Sequence, residues 1–213
     1  MTPVLSYYVS GMPGKPGLPI SPMLRGVSAI ILAGGQSRRM QGRDKGLVKL
    51  RGRPLIEHVI ERMKPQVDEI VLSANRNLDH YRAYGYPVYP DSQYKDCGPL
   101  SGILNCARHT KFDMLIIVGC DQPNLPPDLV SRLTAEIMEN TPAAIPFDGN
   151  TLQNLNVLMK SDLIDSIETA LRQKDFSIHR WLANTPHAEV DFSHQAGHFI
   201  NLNSDTDVEQ YDI

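Results

Sequence analysis

The stretch Ser28-Ala29-Ile30-Ile31-Leu32-Ala33-Gly34-Gly35 decides the fold class. Its run Ala29-Ile30-Ile31-Leu32 has no polar residue to alternate with, so the strand it predicts is buried on both faces, as central strands of parallel sheets are. Adjacent glycines then reverse the chain. Downstream the alternation repeats. Pro54 suits the first turn of a helix whose apolar face is Leu55, Ile56, Val59, Ile60 and Met63, closed by Pro65. A strand follows at Glu69–Ser73 and a short one at 87–89. Pro99 opens a second helix carrying Leu100, Ile103, Leu104 and Ala107, and a fourth strand fits 114–118. Pro126 and Pro127 start a third long helix through Leu129, Val130, Leu133 and Ile137. A strand over 156–159 and a helix capped by Ser161 complete the pattern. Such alternation predicts an α/β fold with a doubly wound, mainly parallel sheet.

The chain has 213 residues, 41% of them hydrophobic, enough for one substantial core. Residues 1–26, rich in proline and glycine without periodicity, read as a flexible N-terminal extension, leaving 27–213 as a single domain. Lysine and arginine number 21 against 24 acidic residues, a net charge of -3, which argues against a nucleic-acid partner. No apolar run reaches the roughly 18 residues of a membrane span, and no secretory signal opens the chain, so no membrane role and a cytoplasmic location are expected. Cys97, Cys106 and Cys120 form neither a CxxC pair nor an even disulfide set and read as reduced, mostly buried thiols.

In open parallel sheets ligands bind outside the carboxyl ends of the strands. The four strands run there into Ala33-Gly34-Gly35-Gln36-Ser37-Arg38-Arg39-Met40, Ser73-Ala74-Asn75-Arg76, Asp91, and Cys120-Asp121-Gln122-Pro123. Paired glycines let backbone N–H groups converge on phosphate oxygens, and Arg38, Arg39 and Lys45 are placed to neutralise a polyphosphate. A plain strand-to-helix turn also uses Gly-Gly. The segment is neither GxGxxG nor GxxxxGK[ST], which disfavours a dinucleotide fingerprint and a P-loop. Asp121, at a strand end before Pro123, suits Mg²⁺, a hard cation that needs only one or two protein carboxylates beside substrate phosphates. The bland alternative is a helix cap. Asp91 has the two acceptors that match guanine's N1–H and N2–H edge, and an ordinary turn aspartate fits the position equally well.

His194 and His198 lack a third ligand, so a zinc site is not expected, and Trp181 reads as a packing aromatic. No GxSxG elbow is present.

Leu32-Ala33-Gly34-Gly35-Gln36-Ser37-Arg38-Arg39-Met40-Gln41-Gly42-Arg43-Asp44-Lys45 resembles the signature loop of the molybdenum cofactor guanylyltransferases, the MobA family of nucleotidyltransferases. Gly98-Pro99-Leu100-Ser101-Gly102 and Cys120-Asp121-Gln122-Pro123 look like this family in particular. The resemblance runs from about Ser28 to the carboxyl terminus and implies a Rossmann-like, nucleotide-diphospho-sugar transferase type of fold. It implies nucleotide contacts at Leu32, Ala33, Gly34, Gly35, Lys45, Ser73, Asp91 and Asp121, with Mg²⁺ on Asp121. The family often has asparagine where Ser73 stands, and the nearby Asn75 agrees better with a base contact. Asn201-Leu202-Asn203-Ser204-Asp205 looks like the family's NxNTP segment beside the pterin, with Ser204 and Asp205 replacing threonine and proline. Gln153-Asn154-Leu155 departs similarly, since proline is usual in its middle.

The activity so implied is transfer of GMP from GTP to the terminal phosphate of molybdenum-molybdopterin, with Arg39, Lys45 and Asp121 as catalytic residues. A molybdoenzyme or cofactor-delivery protein is the implied recipient. A cytidylyltransferase for the same pterin and a sugar-phosphate nucleotidyltransferase are rivals of the same class. A non-catalytic nucleotide or cofactor carrier is the rival of another class, and the joint presence of Lys45 and Asp121 argues against it.

Overall fold

The computed structural model describes residues 26–34 and 43–211. In chain order the strands and α-helices are β1 (Val27–Leu32), β2 (Lys49–Leu50), β3 (Arg53–Pro54), α1 (Leu55–Met63), β4 (Glu69–Ser73), α2 (Leu78–Arg82), β5 (Val88–Tyr89) and α3 (Pro99–Ala107). They continue with β6 (Met114–Gly119), α4 (Leu129–Ala135), β7 (Ala143–Phe147), β8 (Leu158–Lys160), α5 (Ile164–Arg172), α6 (Ile178–Ala183), β9 (His187–Asp191) and α7 (Asp205–Tyr211). All but β2 and β3 among the strands join one seven-stranded sheet in the order β5-β4-β1-β6-β8-β7-β9.

The uniformly apolar β1 is explained by its neighbours. Ala29 and Ile31 face one core with α1 and α4, whereas Ile30 faces a second core with α3, α5 and α6. All three are fully buried, so truncating Ile30 to alanine costs about 2–5 kcal/mol. β1 pairs in parallel with β4 on one side and β6 on the other, and β4 pairs in parallel with β5. The chain moves outward from β1 to β5 and then crosses back to β6. That reversal opens a crevice above β1, at the carboxyl ends of four strands.

The carboxyl-terminal half interrupts this order. β8 is antiparallel to both β6 and β7, while β9 runs parallel to β7. The expected strand at 156–159 starts at Leu158, two residues late. The third helix is not long: α4 begins only at Leu129, and the N–H groups of Glu136 and Ile137 bond three residues back as the helix unwinds. Ile137 lies outside it, and Met138 bridges Thr141 in a tight reversal before Pro142. Ser161 is not a helix cap. It opens a 3₁₀ turn at Ser161–Leu163, and its N–H and hydroxyl bond Asp113, tying that turn to the start of β6. The β2–β3 hairpin was not foreseen, although its turn residues Arg51 (φ 50°) and Gly52 (φ 76°) carry the paired positive φ of a tight hairpin. The expected flexible extension falls on residues outside the described ones, apart from Gly26.

Candidate active site

The crevice holds a cleft of about 440 Å³. Leu32 and Gly34 enter it from β1, Ser73 and Asn75 from β4, Asp91 from β5, and Gly119, Cys120 and Asp121 from β6. All four predicted strand ends therefore converge. α3 closes one wall through Gly98, Pro99 and Gly102. Gly98 takes φ 77° at the helix start, a conformation that favours glycine. At Gly102 a Cβ would stand 2.5 Å from Ser73 Oγ and 3.3 Å from Leu32 Cδ2, so glycine is what lets α3 approach the sheet beneath the cleft.

Lys45 and Asp121 meet at the centre. Lys45 Nζ donates to Asp121 Oδ2 at 2.7 Å and to Asn203 Oδ1 at 2.7 Å. Both charged side chains are about five-sixths buried, with 16% and 15% exposed. Removing either partner leaves a partly desolvated charge. A Cβ at Gly119 would stand 2.4 Å from Asp121 Oδ1, so glycine at the end of β6 makes room for the carboxylate. Cys120 beside it is inert, because burial raises its thiol well above the ordinary range. Burial likewise pushes Cys106 up to about 12. The three thiols are free and mostly buried, with Cys97 the half-buried one.

Asp91 is a turn residue with a buried side chain that is tied into a hydrogen-bond network. Its N–H donates to Asn75 Oδ1 at 2.7 Å, and its Oδ2 accepts from Asn75 Nδ2 at 2.9 Å and lies 3.0 Å from Ser101 Oγ. Ser101 Oγ is also 2.8 Å from the Gly98 carbonyl, so its single proton is shared between two acceptors. Asp91 Oδ1 is buried with no partner. Ser101 was not foreseen as part of the site. Ser73 is 2% exposed at the cleft floor, where the smaller side chain fits beside Gly102.

The carboxyl-terminal segment returns to the same centre. The Leu202 N–H donates to the Asp121 carbonyl at 2.9 Å, while Leu202 packs with Leu50, Leu55 and Val208. Ser204 Oγ accepts the Asp207 N–H at 3.1 Å, and Asp207 Oδ2 accepts the Ser204 N–H at 2.8 Å. This reciprocal pair is a capping box at the start of α7, so serine here does a helix cap's work. Asp205 pairs with Arg43, an ion pair that proline could not make. Asn154, the other departure, donates its N–H to the Leu152 carbonyl at 3.1 Å, a bond that proline would forfeit.

Other expected residues divide clearly. Ala33 does not line the cleft, and its N–H is spent on the Ser73 carbonyl at 2.8 Å. Asn201 and Asn203 are both exposed and outside the cleft lining, and Asn203 reaches the centre through its bond with Lys45. Gly35, Arg38 and Arg39 lie outside the described residues. Among the described residues no group of three or more histidine, cysteine or acidic side chains could hold a metal. Trp181 is 5% exposed and packs in the second core, with Nε1 donating to Ser166 Oγ at 3.0 Å. No helix among the described residues is long and apolar enough to cross a membrane.

Residues 29–190 match the family model of the MobA-like NTP transferase domain. A molybdenum cofactor guanylyltransferase from Shewanella pealeana is 42% identical over 179 residues, covering 84% of this chain and 90% of the relative. One from Shewanella woodyi is 43% identical over 179 residues, covering 84% and 91%. Among solved structures, the molybdopterin-guanine dinucleotide biosynthesis protein A from Archaeoglobus fulgidus superposes with a TM-score of 0.70 at 22% identity, covering 87% of this chain and 96% of that one. A nucleotidyl transferase from Methanothermobacter thermautotroptrophicus gives 0.71 at 18% identity, covering 88% and 96%. These two likenesses establish the fold, and the sequence matches establish more: the chain is a nucleotidyltransferase that belongs to the MobA-like NTP transferase family, among the molybdenum cofactor guanylyltransferases.

Proposed function

We propose that this chain transfers GMP from GTP to the terminal phosphate of molybdenum-molybdopterin, releasing pyrophosphate and forming a guanine dinucleotide of the cofactor. The observation that carries the proposal is the meeting of Lys45 and Asp121 at 2.7 Å, in the same cleft that Asp91 enters from β5. A phosphate monoester has a second pKa of roughly 6 and is already ionised at neutral pH, so no dedicated general base is required. Positioning and charge neutralisation then dominate. Lys45, with Arg38 and Arg39, neutralises the polyphosphate, and the first-strand turn at Leu32, Gly34 and Gly35 carries the phosphates. Asp91 and Asn75 read the base. A guanine edge would supply Asp91 Oδ1 with the donor it lacks, and a buried acceptor without one is costly.

The donors at the centre fit Mg²⁺. Asp121 offers a carboxylate, Asn203 an amide oxygen within reach of the same lysine, and among the described residues lining the cleft the only soft ligand is the inert thiol of Cys120. Asp121 would hold the ion, which supplies charge neutralisation at the phosphate oxygens when bound. Asn201 and Asn203 flank the pterin side. The finished cofactor passes to a molybdoenzyme or a delivery protein, and the reaction belongs in the cytoplasm.

Pyrophosphate release, measured with purified molybdopterin and each of the four nucleoside triphosphates in Mg²⁺, tests the proposal. GTP alone should support turnover. A preference for CTP would move the chain to cytidylyl transfer, and no release with any nucleotide would favour a carrier.

A further inference from the structure

Asp44 precedes Lys45 and would be read as a second carboxylate for the cation, but both of its oxygens are already engaged away from the cleft. Oδ1 accepts from the Tyr81 hydroxyl at 2.6 Å, and Oδ2 accepts from Asn77 Nδ2 at 2.9 Å. Tyr81 is fully buried in the first core, and burial with the adjacent Asp44 carboxylate drives its phenol far above its ordinary value, so it acts as a donor at every working pH. On the other side of Lys45, a Cβ at Gly46 would stand 2.5 Å from Tyr81 Oη, so the backbone there presses directly on the same hydroxyl. Arg76 reaches the Arg43 carbonyl at 3.4 Å. The backbone of residues 43–46 is thus held by α2 and the turn before it, while Lys45 points across to Asp121 and Asn203 and Arg43 to Asp205.

We propose that Asp44, Tyr81 and Asn77 form a clamp that positions Lys45, fixing its backbone so that the side chain exchanges Asp121 for the nucleotide phosphates without losing its aim. These are positioning residues, since none touches the reacting atoms. The need is physical. A lysine ammonium sits on a flexible four-carbon stem, so its placement is only as good as the anchoring of its root. The proposal rests on the guanylyl-transfer reading for the exchange it describes.

A double-mutant cycle tests it. Tyr81→Phe keeps the ring in the core and removes only the hydroxyl, leaving Asp44 Oδ1 without its donor. It should lower kcat/KM for GTP about five- to thirtyfold. If the hydroxyl acts through Lys45, the same change made in Lys45→Ala should cost less than about twofold, because interacting sites are non-additive. Equal factors in the two backgrounds would show a general structural role and overturn the clamp, as would an unchanged kcat/KM in Tyr81→Phe. Should that variant melt below the assay temperature, Asn77→Gly takes its place with the same two outcomes. Glycine tolerates the φ of 50° at that position and removes the amide. A wild-type enzyme that makes no pyrophosphate from GTP would instead sink the functional reading, so the two failures are separable.

Discussion

The Asp91 carboxylate is buried, with Oδ2 bonded to Asn75 and Ser101, whereas at Asn201 and Asn203, on the other side of Asp121, the side chains are exposed. On the side that the proposed function assigns to the base, Asn75 grips Asp91 through two hydrogen bonds, and α3 is drawn against the sheet by Gly102. The opposite side is joined to the centre by one lysine, one backbone hydrogen bond and a capped helix. Unpairing a buried polar group costs about 1–3 kcal/mol, while an exposed pair contributes about 0–1 kcal/mol. Substitutions should therefore lose force from the centre outward, and most steeply toward the exposed side.

The largest effect is expected at the centre. Asp121→Ala should reduce Mg²⁺-dependent turnover by at least about a hundred- to a thousandfold, the scale of a lost preorganised electrostatic contact. The fold should survive, since the change removes a charge at a strand end, which a thermal melt would verify. Near-normal turnover in Mg²⁺ would erase the distinction between centre and periphery.

Lys45→Ala comes next. Loss of a charge-assisted contact of about 1.5–3 kcal/mol corresponds to roughly a ten- to 150-fold lower kcat/KM for GTP. Wild-type kinetics in this variant would make the lysine a bystander to the Asp121 carboxylate.

Asp91→Asn sharpens the comparison by testing selectivity. Asn75 Nδ2 and the Ser101 hydroxyl already donate toward Oδ2, so the new amide should place its oxygen there and its NH₂ at the unpartnered position. A donor would then face guanine's donors. GTP use should fall about five- to more than a hundredfold, and ITP, which lacks the N2 amino group, should fall less. An unchanged GTP-to-ITP preference under identical Mg²⁺ would remove Asp91 from the base pocket.

The smallest effect lies on the exposed side and depends on pH. The N–H of Asn203, foremost among its partners, holds the Asp207 carboxyl below its ordinary value. Its stabilising contribution is therefore complete above the unfolded pKa of about 3.9 and is lost as pH falls through the lower folded value. Asp207→Asn should flatten the melting temperature against pH below about 4 while leaving base selectivity intact. A shift in the GTP-to-ITP preference would mean that the two sides are coupled more tightly than their contacts suggest.

Sequence alone exposed the parts that depend on local pattern. The apolar run of β1 demanded burial on both faces, and the two cores that receive Ile30 and Ile31 explain why. Proline at the starts of α1 and α3 and the polar residues after four parallel strands located the cleft. What escaped was set by contacts distant in sequence or by very short elements. β8 has three residues, too few for a period to reveal its antiparallel direction. Tyr81 sits in a five-residue helix and meets Asp44 across 37 positions. Ser101 belongs to a helix-opening motif, and nothing in its spacing signals that it faces Asp91. The residues were visible, but their pairings were not.

The ion pair between Lys45 and Asp121 gives the cleft its own exchangeable counter-ion. On the proposed function, nucleotide binding is then a substitution rather than an addition. A bare cation would compete with the ammonium for Asp121, and a bare triphosphate would strip the carboxylate of its partner, each at an electrostatic cost. The two arriving together replace both halves of the pair at once. On that reading the protein would favour the assembled metal–nucleotide over either component, a form of synergy that follows from one 2.7 Å contact and requires no domain to move.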